Sequence, residues 1–176
     1  MLLFSLVLSL IALVTSPAAA QQSSACSLLT SSDIEVVTGG KMGVTQSIHF
    51  DDVPAGPNKN MTVPSCTWTV PTHQGGVVIS VGPGLPSDKD TIKMAKNNPG
   101  TDGLRAAHYK EEAKDFPNAW CSIMTPPPST KDGVMMSSCS AAVKGKVLSI
   151  VFMSPSKALT IDQAKALLDK AAGRLH

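Results

Sequence analysis

Four cysteines set the tightest limit on what this chain can fold into. Cys26, Cys66, Cys121 and Cys139 stand 40, 55 and 18 residues apart, and no C-x-x-C occurs. Without that spacing a zinc ribbon or a thioredoxin-type redox site is disfavoured. What the cysteines do then depends on the compartment, and the N-terminus speaks to that. Residues 1–20 hold no charge, and 15 of them are apolar. Leu2 to Val14 form a short apolar region, and Ala18-Ala19-Ala20 presents an A-x-A cleavage site before Gln21-Gln22. The run is shorter than the roughly 20 residues a spanning helix needs. Two alternatives are an uncleaved anchor, because no basic residue follows Met1, and acylation of Cys26. Against acylation, Ser23 occupies the position where a lipid-modified cysteine has an aliphatic residue. The reading is a signal peptide over 1–20, a polar leader over 21–25, and a secreted or periplasmic chain. In an oxidising compartment its four cysteines pair. No later stretch is apolar enough to span a bilayer, so no stable membrane insertion is expected after cleavage.

Residues 26–176 are the length of one domain, and a chain near 150 residues buries about 68–70 % of its unfolded surface. The formal charge of +2 comes from 15 basic and 13 acidic residues. That balance predicts no nucleic-acid footprint. Six aromatic residues lie beyond residue 20, too few to suggest stacking platforms for bases or sugars.

The element pattern is α+β. Thr30 and Asp33 form a capping-box arrangement, flanked by Leu29 and Ile34 in staple positions and closed by Gly39-Gly40, which predicts a helix. Residues 43–50 suit a first strand and 51–60 a loop. Ser65 to Val70 alternates, with Cys66, Trp68 and Val70 on one face. Val77 to Val81 is a further strand. Pro86-Ser87 opens a short helix through Asn97, read as stopped by Pro99-Gly100. Leu104–Tyr109, Ala119–Thr125, Val134–Val143 and Lys146–Met153 are four more strand candidates. Lys144-Gly145 joins the last two as a tight turn with glycine left-handed. Val147 to Met153 is nearly all apolar, the pattern of a central strand covered on both faces. Thr160 and Gln163 cap a final helix whose stripe runs from Ile161 to Leu175. Three helices and about six or seven strands, with few long crossovers, predict a mainly antiparallel sheet in layers with helices.

The hairpin selects the cysteine pairing. Cys121 and Cys139 are each nine residues from Thr130, so pairing the two strands around the Pro126-Pro127-Pro128 loop sets them opposite each other. Cys26 then pairs with Cys66, next to Trp68.

Each group that might carry chemistry has a simpler explanation. No G-x-S-x-G elbow exists, and His49, His73, His108 and His176 are scattered. Gly82-Pro83-Gly84 lacks the third glycine of a phosphate turn, and Pro83 and Pro86 remove N–H donors, so it reads as a turn. Gly39-Gly40-Lys41 reads as a helix stop. Met42, Met61, Met94, Met124, Met135, Met136 and Met153 show no His-x-Met or Met-x-x-Met spacing of a copper carrier. Core packing or a malleable apolar pocket is favoured for them. No catalytic, cofactor or metal residue is assigned. Asn60-Met61-Thr62 is a glycosylation sequon.

Cys26-Ser27-Leu28-Leu29-Thr30, the Cys66-Thr67-Trp68 strand, the Lys144-Gly145 hairpin and the Ala164–Leu175 helix together resemble small exported bacterial proteins and lipoproteins of unknown function. That resemblance implies a PsbP/Mog1-like layered sandwich and carries over no catalytic residue. Two functions follow. One is a non-enzymatic, disulfide-stabilised binding or accessory protein with a protein or apolar small-molecule partner. The other is a small secreted hydrolase with an unrecognised site.

Overall fold

A computed structural model describes residues 25–41, 43–52, 62–70 and 74–176. The expected signal peptide, most of the polar leader, His73, Met42, Met61 and Asn60 lie outside these residues. The chain is α+β, with all seven described strands in one antiparallel sheet of order β1-β2-β3-β7-β6-β5-β4.

Helix α1 (Ser31–Thr38) begins at the expected capping box. The Asp33 amide donates to Thr30 Oγ1 at 3.2 Å, and the Thr30 amide donates to Asp33 Oδ2 at 2.9 Å. Gly39, left-handed at φ 71°, ends it. Strands β1 (Gly43–Asp52), β2 (Thr62–Val70) and β3 (Gly75–Pro83) form a meander.

The next helical region is two helices. In α2 (Asp88–Lys96) the Ser87 hydroxyl caps the Asp90 amide. Helix α3 (Pro99–Ala106) follows at once. Pro99 opens this second helix rather than stopping the first: it sits at the first helical position, where its missing N–H costs nothing, and Asn98 O accepts from the Asp102 amide. The strand expected over Leu104–Tyr109 is the end of α3. Tyr109 N donates to Leu104 O and His108 N to Arg105 O, with His108 left-handed at φ 60°, a Schellman closure without glycine.

The true strand comes next, β4 (Lys110–Phe116), followed by β5 (Ala119–Thr125), β6 (Met135–Val143) and β7 (Lys146–Ser154). Lys144 and Gly145, at φ 51° and 72°, make the turn between β6 and β7, both positive as in a type I′ turn. Helix α4 (Ile161–Arg174) starts at the Thr160/Gln163 capping box.

Helices α1 and α4 cover one sheet face. Ile34, Leu167 and Leu168 pack there with Trp68, Ile79, Ile150 and Phe152. Both disulfides lie in this layer. Cys121 and Cys139 are directly opposed across β5 and β6, with Cα atoms 4.1 Å apart. Cys26 joins Cys66 at a Cα separation of 5.1 Å, tying the entrance of α1 to the Trp68 strand.

Candidate functional site: the open sheet face

The other face is covered only in part. Helix α2 packs on β6 and β5. On β5 and β6, Trp120, Met124 and Ala142 are buried outside the main core cluster. Thr91 anchors the helix, accepting from the Leu85 amide at 2.8 Å and donating to Ser87 O at 3.1 Å.

Beyond α2 the face opens. Register pairs Val78 of β3 with Val151 of β7, Ser80 with Ser149, and Gly82 with Val147. All six positions are half-buried, while the alternate residues Val77, Ile79, Leu148 and Ile150 are buried against α1 and α4. The expectation that β7 is covered on both faces is thus corrected. It is a central strand, yet Val147, Ser149 and Val151 keep solvent access and Met153 is 42 % exposed. The apolar run alone could not show this, because the two faces of a strand carry the same residue types whenever the open one is uncharged.

The rungs that cross this face hold hydroxyls and methyls and no charge; Val78, Ser80, Ser149 and Val151 floor the trough, while Ser65, Ser122, Ser138 and Ser140 are buried beside it. One rung carries Ser65, Ser80, Ser149 and Ser140 on four adjacent strands. Ser140 and Ser149 share a hydrogen bond of 2.8 Å. The next rung carries Thr67, Val78, Val151, Ser138 and Ser122, with Ser122 and Ser138 bonded at 3.1 Å. A third sets Met124, Met136 and Met153 side by side.

Two charge clusters lie elsewhere and tie elements together. Asp33 accepts from Arg174, Thr30 and Lys170, and Arg174 above all holds its carboxyl far below the usual carboxylate range, against the effect of burial. Arg105 grips Glu111 with two bonds, Nε at 2.8 Å and Nη2 at 3.0 Å, and its guanidinium is raised further above its ordinary value chiefly by that contact. These pairs fasten α1 to α4 and α3 to β4.

Among the described residues, those singled out in the sequence are not gathered into a reactive site. His108 closes α3, His176 follows α4, and His49 lies in β1. Among the described residues no group of three or more His, Cys, Asp or Glu side chains is placed to hold a metal. Gly84 N donates to Gly145 O and Leu85 N to Thr91 Oγ1, so the donors after Pro83 serve the fold. The methionine rung was the feature missed. Its signal is the hairpin itself: 124 and 136 are both six residues from 130, and 136 and 153 are equidistant from the Lys144-Gly145 turn.

No family model matches the sequence, and no curated protein matches it. Among solved structures, the crystal structure of the extracellular domain of PknH from Mycobacterium tuberculosis is similar. It is 13 % identical, with a TM-score of 0.56 over 88 % of this chain and 95 % of that one. At this identity the likeness is one of fold. Among the described residues no helix is long and apolar enough to cross a membrane.

Proposed function

We propose that this chain is an exported, non-enzymatic binding or accessory protein that seats an uncharged, largely apolar partner on the open face of β3 and β7. The observation that carries the reading is that trough: half-buried Val78, Val147 and Val151 beside Ser80 and Ser149, with no charge in the floor and α2 as a wall. Ligand surfaces combine apolar contact area with a few placed polar groups in this way. The disulfides and a fold shared with an extracellular domain support export to an oxidising compartment. Kinship with the small exported proteins that share a Cys-x-Leu-Leu-Thr helix and a Cys-x-Trp strand is part of the proposal. Its support is that the Cys26–Cys66 bond joins those two motifs directly.

Native mass spectrometry of protein purified from its own host tests the proposal. The expected result is a retained neutral ligand or partner, lost in Val151→Glu with circular dichroism unchanged. Turnover of ester, peptide or glycoside substrates by the wild-type protein would replace this reading with the hydrolase one.

A further inference from the structure

The methionine rung has a burial gradient that packing does not account for. Met124 is fully buried, Met136 is half-buried and Met153 is 42 % exposed. Directly opposed residues share a face, with Cβ atoms about 4.5–5.5 Å apart, so the three side chains leave the sheet in a row whose exposure rises from Met124 to Met153. Core filling explains Met124. It does not select methionine at Met153, which keeps 42 % of its surface in solvent and where a β-branched residue suits an open strand position better. Beyond Met153 the same rung continues with Gly76, which contributes no side chain to cover that end.

The chemistry of the row is soft and neutral. A methionine side chain is unbranched and has three rotatable bonds, so sulfurs from three neighbouring strands can converge on one point above the sheet. Thioethers favour Cu(I) over harder cations. At the other end of the rung Glu111 opposes Met124, but both its oxygens are held by Arg105. That removes the hard donor that would favour a divalent ion. All four cysteines are in disulfides, so no thiolate competes. We propose that Met124, Met136 and Met153 form a three-thioether site for Cu(I), entered from the Met153 end. The rung borders the trough proposed above, at Val151 and Met153 of β7, but its test reads metal binding alone, so either proposal can fail without the other.

The test is anaerobic titration of the oxidised protein with Cu(I) against a chromophoric Cu(I) chelator, with Ag(I) as the redox-inert probe for stoichiometry by native mass spectrometry. One ion per chain is expected. Met136→Leu and Met153→Leu conserve volume, and each should weaken binding by roughly tenfold or more, since losing a ligand costs at least as much as losing a group that only orients one. Met135→Leu, on the opposite face across from Ser154, should leave affinity unchanged. Met153 is exposed enough that its variant folds even if Met136→Leu does not. Absence of a one-to-one complex, or full affinity in Met153→Leu, overturns the assignment.

Discussion

Arg174 Nη1 lies 2.5 Å from Asp33 Oδ2, and the same nitrogen donates to Leu28 O at 3.0 Å. One guanidinium at the end of α4 therefore holds both the first turn of α1 and the chain that enters it. Lys170, one turn earlier, reaches the other Asp33 oxygen at 3.1 Å. Asp33 also closes the Thr30 capping box, so its carboxylate serves a helix cap and a helix–helix joint together.

Replacing Asp33 by Asn should therefore cost more than an exposed ion pair does, about 1–3 kcal/mol in denaturant unfolding. Arg174→Ala should cost less, because that side chain is 41 % exposed. The pH dependence has a definite sign. Asp33 has a folded pKa below its unfolded value of about 3.9, so its contribution is fully present above that value and fades as pH falls through the folded one. Wild type and Asp33→Asn should differ by a constant amount near neutral pH and converge below about pH 4. A gap that persists unchanged to pH 2 would show that geometry, and not charge, is responsible.

Two glycines should respond oppositely to alanine. A Cβ on Gly75 would sit 2.2 Å from Met153 O, inside the β3–β7 ladder, and the obstacle is backbone. Gly75→Ala should therefore destabilise by about 2 kcal/mol or more, through strain and broken ladder bonds. Gly103 lies within α3 and a Cβ there meets nothing within 4 Å. Gly103→Ala should stabilise by about 0.4–1 kcal/mol through helix propensity and unfolded-state entropy. Thermal melts of the two variants decide both signs.

What the sequence made legible was local chemistry with a fixed offset. The Thr30/Asp33 and Thr160/Gln163 boxes placed both terminal helices, and hairpin symmetry set Cys121 against Cys139. Where the local signal is absent or ambiguous, the sequence does not mark the element. Pro99 is as compatible with starting a helix as with stopping one, and His108 occupies a left-handed cap where glycine is the usual sign. Strand β4 has no apolar alternation at all, because an edge strand has little to bury. The open trough needed the path of the chain from β3 across to β4, which carries α2 over β5 and β6 and, among the described residues, sets no helix over the half-buried face of β3 and β7. No periodicity within a single strand encodes that. The methionine rung was computable from the two turns, but its members are spread over three strands, and linear motifs do not reveal them.

The two disulfides close loops of 40 and 18 residues. On chain-entropy grounds they stabilise by about 4 and about 3 kcal/mol respectively. Double Cys→Ala replacement of Cys26 and Cys66 should therefore lower the unfolding free energy somewhat more than replacement of Cys121 and Cys139. The reverse ordering would show that the cavity left at the fully buried Cys121–Cys139 bridge outweighs loop entropy. Denaturant midpoints and slopes for the two variants check this, with a steeper slope expected for each because the freed loop lets the denatured chain expand.

The sheet's free edges are guarded in two ways, and the β4 guard can be removed. At β1 the register with β2 shifts between Gly43 and Ser47, an irregularity that spoils a flat pairing template. At β4 the guard is charge: Lys110, Glu111, Glu112, Lys114 and Asp115 stand in a seven-residue strand. Glu112 and Lys114 are exposed, and their pairs with Lys110 and Asp162, at 3.0 and 3.5 Å, are surface pairs worth about 0–1 kcal/mol each. Replacing both with Thr should leave the monomer's unfolding free energy within about 1 kcal/mol of wild type, because threonine suits a strand and little is buried there. It should also expose an uncharged N–H and C=O row along Glu112–Lys114. The expected outcome is concentration-dependent association in light scattering, absent in wild type and reversed by restoring either charge. A double variant that stays monomeric at millimolar concentration would mean that shape, and not charge, protects this edge.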